Sequence, residues 1–329
     1  MAAMDDLKSL SLRLLERDPP AGPVMSPEDY VPGSLPSLVA RLCRPDMPVD
    51  GPGLASLCLK YCFTYVHPER LGDEVTLEEA TRLAGQFVRR RGGTQSLVGR
   101  DGLRRLLLHH GFALQMLLDL PKTAHLLAAL LARPVPAAQG RFVGLDLGAG
   151  TGILLLGQYL LARRSGSDAP ELVGIEHLPQ VAGRAHALLT ALGVGRVAAG
   201  DATKSAIYET LPHGPIACVT NETLPASGRR LYKEPFPAIC AALYAALGPR
   251  LAPTAFLPEA VWASDREGRS WLRLTPANGF AGGEAEKPLR LFYMRDVELA
   301  GVRMPAGQVG EPFRALVSPP WREALGRRW

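Results

Sequence analysis

Cysteine is scarce and scattered in this 329-residue chain: Cys43, Cys58, Cys62, Cys218 and Cys240 are five, an odd number, with no Cys-x-x-Cys pair. That usage argues against a disulfide scaffold and fits a reduced compartment. Cys58 and Cys62 stand one helical turn apart in CLKYCFTY. Tyr65 occupies the place of the third thiolate in a Cys-x3-Cys-x2-Cys iron–sulfur pattern, so both cysteines read as core residues. Long apolar runs are also lacking. The richest stretch, Leu114 to Leu131, holds Asp119, Pro121, Lys122 and His125, so no membrane span is expected. The opening MAAMDDLKSLSLRLLERD is charged too early for a secretory signal, and a cytoplasmic protein is expected. An excess of one charge is missing too: 37 Lys+Arg against 32 Asp+Glu leave +5, dispersed along the chain, a poor footprint for nucleic acid. His109 and His110 have no carboxylate or cysteine at metal spacing, so no metal site is expected and both read as surface or core residues.

What is present suits a globular protein, 47% hydrophobic and 21% charged. Residues 1–140 read as mostly helical, broken by DPPAGP at 18–23 and VDGPG at 49–53. One helix is well marked: Thr76-Leu77-Glu78-Glu79 forms a capping box, and Leu77, Ala80, Ala84 and Phe87 share a face. Arg89, Arg90 and Arg91 then precede Gly92-Gly93, where cations complement a helix dipole. From Arg141 the pattern changes. FVGLDL, ELVGIE, GRVAAGD, IACVTNE and TAFLPEAVW read as five strands with helical stretches between them, the signature of an α/β, doubly wound, Rossmann-like sheet. Beyond Ser264 the chain is strand-rich and irregular. The division expected is a helical region at 1–140, serving as lid or homodimer surface, a ligand-binding sheet domain at 141–263, and a short β-rich extension at 264–329.

Chemistry concentrates where strands end. LDLGAGTG, residues 145–152, closes the first strand and opens a helix, so backbone N–H groups can approach a ligand at a helix N-terminus. A plain structural turn is the competing reading. Gly-Lys-Ser/Thr is absent, which excludes a P-loop, and Ile153 stands where a Gly-x-Gly-x-x-Gly dinucleotide loop has its third glycine. Asp146, one strand step before the glycines, can accept from an ammonium or hydroxyl group. Glu176 ends the second strand in GIEHLP, where a carboxylate can take both hydroxyls of a ribose. Asp201 ends the third in GDAT, where an acid can accept from an exocyclic amine.

Through LDLGAGTG, GIE at 174–176 and GDAT at 200–203, about half the chain resembles the class I S-adenosylmethionine-dependent methyltransferases. The resemblance implies S-adenosyl-L-methionine as cofactor. It implies that Gly148 and Gly150 approach the methionine portion, Glu176 binds ribose and Asp201 contacts adenine, with Asp146, Gly152 and Ala202 completing the set. It also puts the reactive methyl beside Thr220-Asn221-Glu222 at the end of the fourth strand. Glu222 and Glu234, flanking a loop with Arg229 and Arg230, resemble the paired-glutamate hairpin of protein arginine methyltransferases, in which both acids hold a guanidinium. Those two glutamates are the expected catalytic residues, and Asn221 and Tyr232 join them in the substrate set.

The chain departs from that family in three ways. Its glutamates are twelve apart, no Thr-His-Trp signature is present, and the tail is too short for the family's β-barrel. The expected acceptor is therefore a small amine- or guanidine-bearing molecule, with a protein substrate as an alternative. Two further readings stay open: methyl transfer to oxygen or carbon of a small acid or phenol, with Arg229 and Arg230 facing the substrate, and a non-catalytic cofactor-binding scaffold.

Overall fold

The computed structural model describes residues 27–88, 110–111, 113–114, 116–118, 120–133, 141–223, 236–251, 254–257, 261–264, 271–274, 296–299 and 302–305. Five parallel strands form its sheet: β1 (Val143–Leu147), β2 (Glu171–Glu176), β3 (Arg196–Ala199), β4 (Cys218–Asn221) and β5 (Ala255–Leu257). Their order is 3-2-1-4-5. The winding therefore reverses between β1 and β4, and a doubly wound sheet opens a crevice outside the carboxyl ends of its strands at that switch point. The expected Rossmann-like fold is the fold observed.

The helices before the sheet form because their ends are capped and their faces are apolar. These are α1 (Leu35–Leu42), α2 (Gly51–Val66), α3 (Leu77–Val88) and α4 (Leu120–Leu131). The Asp50 carboxylate accepts from the Gly53 amide at 2.7 Å and starts α2. The expected capping box starts α3: Glu79 Oε2 accepts from the Thr76 amide at 3.1 Å, and Thr76 Oγ1 accepts from the Glu79 amide at 3.2 Å. Helix α2 is buried around nearly its whole circumference, the mark of a helix packed inside rather than on a surface. Even Lys60 is enclosed there, its Nζ donating to the Val75 carbonyl at 3.0 Å and lying 4.4 Å from the centre of the Tyr30 ring.

Three helices follow within the sheet unit: α5 (Ile153–Arg164) after β1, α6 (Pro179–Ala191) after β2, and α7 (Phe236–Leu247) between β4 and β5. Two arginines from the first pair bind the preceding helices to the sheet. Arg164 of α5 donates to the Leu42, Arg44, Pro45 and Met47 carbonyls, and Arg184 of α6 donates to those of Tyr65 and Val66. Among these acceptors, the Leu42, Tyr65 and Val66 carbonyls are ones that a helix end leaves without internal partners. Leu and Ala side chains of α2, α4, α5 and α6 form one continuous apolar cluster on this side of the sheet. On the other side, α7 and a 3-10 helix (Ser205–Thr210) cover Val143, Leu145, Leu147, Val173, Ile175 and Val219.

The segment TAFLPEAVW departs from its reading as one strand. It contributes β5 to the parallel sheet and β6 (Val261–Ser264) to an antiparallel pair with β7 (Trp271–Leu274). Pro258, in the sequence between, has no N–H to donate to a ladder. A second antiparallel pair joins β8 (Asp296–Leu299) to β9 (Val302–Pro305). Among the described residues no helix is long and apolar enough to cross a membrane.

Candidate active site

The turn from β1 to α5 is possible only for glycine at its corners. Gly148, Gly150 and Gly152 have φ of 69°, 54° and 86°, a region that L side chains disfavour. The Gly148 and Ala149 amides donate to the Ile175 carbonyl at 2.9 and 3.0 Å, which pins the loop to the end of β2. Space matters as well as φ. A Cβ on Gly148 would collide with the Thr223 methyl group, whereas one on Gly150 would meet Ala113 Cβ at an ordinary 3.7 Å.

Strand register brings the acids together. Asp146 of β1 pairs with Gly174 of β2 and Thr220 of β4, and Glu176 pairs with Ala199 of β3. Side chains alternate faces along a strand. Asp146, Thr220 and Glu176 therefore share the face that α5 covers, and Asp201, two residues past Ala199, follows the same parity. Glu176 is 9% exposed. Its Oε2 accepts from the Gly150 amide at 2.9 Å and its Oε1 from the Leu178 amide at 2.8 Å, so this acid shapes the glycine loop directly. Each oxygen keeps a second lone pair for a further donor. Asp201 Oδ1 accepts from the hydroxyl and amide of Thr203, bonds that hold its carboxyl below the ordinary range, with Lys204 and His177 assisting. Ala202 is buried, and its carbonyl accepts from the Tyr208 hydroxyl at 2.6 Å.

Asp146 lies deepest, 2% exposed. Its Oδ1 accepts from the Thr220 hydroxyl at 2.5 Å, and Thr220 Oγ1 accepts in turn from Gln158 Nε2 of α5 at 2.8 Å. Its Oδ2 has no hydrogen-bond partner. Burial pushes the Asp146 carboxyl up to about 7, and the charges of Glu222 and Glu176 push the same way, against the Thr220 hydroxyl and the Leu155 amide. A carboxyl so placed divides its time between neutral and charged forms near neutrality.

On the acceptor side, β4 ends at Asn221, which is buried and turned inward. Its Oδ1 accepts from the hydroxyl and amide of Thr223, and its Nδ2 faces Cys240 Sγ of α7 at 3.8 Å. Glu222 follows, half-buried and close enough to Asp146 to act on its carboxyl. Tyr232, Glu234, Arg229 and Arg230 lie outside the described residues, as does Asp119.

Sequence reasoning missed the contribution of the preceding helices. Tyr61 of α2, fully buried, donates its hydroxyl to the Thr151 carbonyl at 2.6 Å and so adds a second side-chain anchor to the glycine loop. One turn on, the Tyr65 hydroxyl and His110 Nδ1 are 2.8 Å apart, which makes His110 a bonded core residue. The signal available was two tyrosines in a largely apolar helix, since a buried phenol needs a partner for its hydroxyl. Leu178 was missed too; at 48% it is the one large exposed apolar residue among those described, and it adjoins Glu176 and His177.

No family model and no curated protein matches the chain. Among solved structures it is similar to the Trypanosoma brucei PRMT1 enzyme–prozyme heterotetrameric complex with AdoHcy, at 20% identity, covering 48% of this chain and 44% of that one, with a TM-score of 0.35. It is also similar to the mitomycin 7-O-methyltransferase MmcR, at 17% identity, covering 67% of this chain and 56% of that one, with a TM-score of 0.31. The chain thus spans less than two thirds of either neighbour's length, and at such scores neither informs its chemistry.

Proposed function

We propose that the chain is an S-adenosylmethionine-dependent methyltransferase acting on nitrogen of a small amine- or guanidine-bearing molecule. The observation that carries this reading is the union of Glu176 and the glycine loop through the Gly150 amide at 2.9 Å, with Asp146 at the same carboxyl end of the sheet. The residues suit the cofactor. A buried carboxylate oxygen without a partner fits an ammonium group, and a loop of glycines, which carry no side chains, lets a ligand approach its backbone. In this reading Asp146 takes the ammonium group, Glu176 the ribose hydroxyls, and Asp201 and Ala202 the adenine. Gly148, Gly150 and Gly152 give the ligand close access to backbone.

The chemistry that S-adenosylmethionine supplies when bound is a methyl carbon open to in-line displacement. This chain's part is to orient the acceptor and manage its charge. Glu222 holds the acceptor nitrogen by a charge-assisted bond and receives the proton that nitrogen loses, with Glu234 as the second clamp and Tyr232 as a wall. Asn221 serves through the Thr223 turn that it fixes. The helical region, expected as lid or homodimer surface, serves here as lid through α2, whose Tyr61 bonds the glycine loop.

Titration calorimetry with S-adenosylhomocysteine should give saturable heat. Glu222→Gln should keep that binding while slowing transfer to amine acceptors by about 10²–10⁴-fold. A screen in which only anionic acids or phenols turn over would overturn the nitrogen assignment.

A further inference from the structure

The buried chain Gln158–Thr220–Asp146 has a direction, and the direction carries a consequence. Gln158 Nε2 lies 2.9 Å from the Leu145 carbonyl, which can only accept, so the amide nitrogen must face it. The same nitrogen donates to Thr220 Oγ1 at 2.8 Å. Thr220 then has its one proton left for Asp146 Oδ1 at 2.5 Å, and Oδ1 is fixed as an acceptor. Oδ2 remains as the one carboxylate oxygen among the described residues that is buried with no partner.

Among the described residues, groups from several elements act on Asp146. Glu176 comes from β2, Cys218 from β4, Glu222 from just beyond it and Tyr61 from α2, while α5 offers the neutral Gln158 and the Leu155 amide, which favours the charged form. None is a cation. The unliganded crevice therefore favours a proton on Oδ2, and an incoming cationic nitrogen competes with that proton for the same atom.

We infer that Gln158 and Thr220 are positioning residues that present Asp146 Oδ2 to the ammonium group of an adenosyl amino acid, which binds in exchange for a proton. The O–H bond at Oδ2 breaks, its proton leaves to solvent, and an N–H of the ligand donates to the oxygen. The inference rests on the cofactor reading above and deepens it by making affinity depend on pH. With the carboxyl at about 7, roughly half a proton per site should be released at pH 7. Affinity should weaken about tenfold per unit as pH falls below 6 and level off above 8.

Calorimetry of the full chain in buffers of differing ionisation enthalpy counts that proton. S-Adenosylhomocysteine, which carries the ammonium group, should release it, and methylthioadenosine, which lacks the group, should not. Asp146→Asn should abolish the exchange and flatten the pH profile. Thr220→Val removes the donor to Oδ1 and should move the profile's midpoint to higher pH, while Thr220→Ser restores it. Binding of S-adenosylhomocysteine with no dependence on buffer or pH would overturn the inference and leave the cofactor reading standing. No heat with either nucleoside would overturn both.

Discussion

The two faces of the sheet are built from the same strands and differ in what they bury. Toward α7, β1 presents Val143, Leu145 and Leu147, and β4 presents Val219, all against Ile239, Leu243 and Leu247. Toward α5 the same strands present Gly144 and Asp146, and Cys218 and Thr220, met by Gln158. One face gains stability from apolar area removed from water. The other also buries apolar side chains, and in addition it accepts the cost of an enclosed carboxyl and a further unsatisfied oxygen on Gln158. Apolar burial thus supports both sides of the sheet, whereas buried polar chemistry is confined to the α5 side, and substitutions should separate the two.

The largest effect on stability belongs to the apolar face. Leu243→Ala, at a fully buried position in α7, should lower unfolding free energy by about 2–5 kcal/mol. Denaturant titration measures that loss, while the folded fraction should bind S-adenosylhomocysteine with unchanged affinity. On the polar face Glu176→Ala removes the acceptor for two loop amides and should weaken adenosyl binding by about 1–3 kcal/mol in calorimetry. A larger change in stability than in binding would erase the contrast between the faces.

Within the glycine loop, Gly150→Ala makes only ordinary contact with Ala113 and should cost about 1–2 kcal/mol for its backbone alone. Gly148→Ala meets Thr223 as well and should cost more, with Thr223→Ser returning part of the difference in thermal melts. Equal costs would show that the loop and the turn after β4 are not in contact. The smallest effect is expected of Tyr61→Phe, which keeps the ring and orphans the Thr151 carbonyl. It should cost about 1 kcal/mol, read as a weaker Kd for S-adenosylhomocysteine alongside a small drop in Tm.

Local features are legible in the residues themselves. Glycines at 148, 150 and 152 must bend a strand into a helix, because tolerance of positive φ is a property of the residue itself. The Thr76–Glu79 box needs only neighbours three residues apart, and it forms as expected. The split of TAFLPEAVW is not legible in this way. An apolar run states that a strand is buried and does not state which sheet buries it. Gln158, Thr220 and Tyr61 are hidden for a related reason: each bonds a group far away in the chain, and nothing in its own neighbourhood announces the partner.

The sequence by itself determined the glycine turn, the acids that end successive strands and the alternation that winds helices around a sheet, since all of these depend on backbone preference and short-range pattern. Only the tertiary structure decided that those acids share one face and that a tyrosine from α2 holds their loop. Register and packing join residues through space, and a one-residue shift in pairing would have sent the same carboxylates to opposite sides of the sheet.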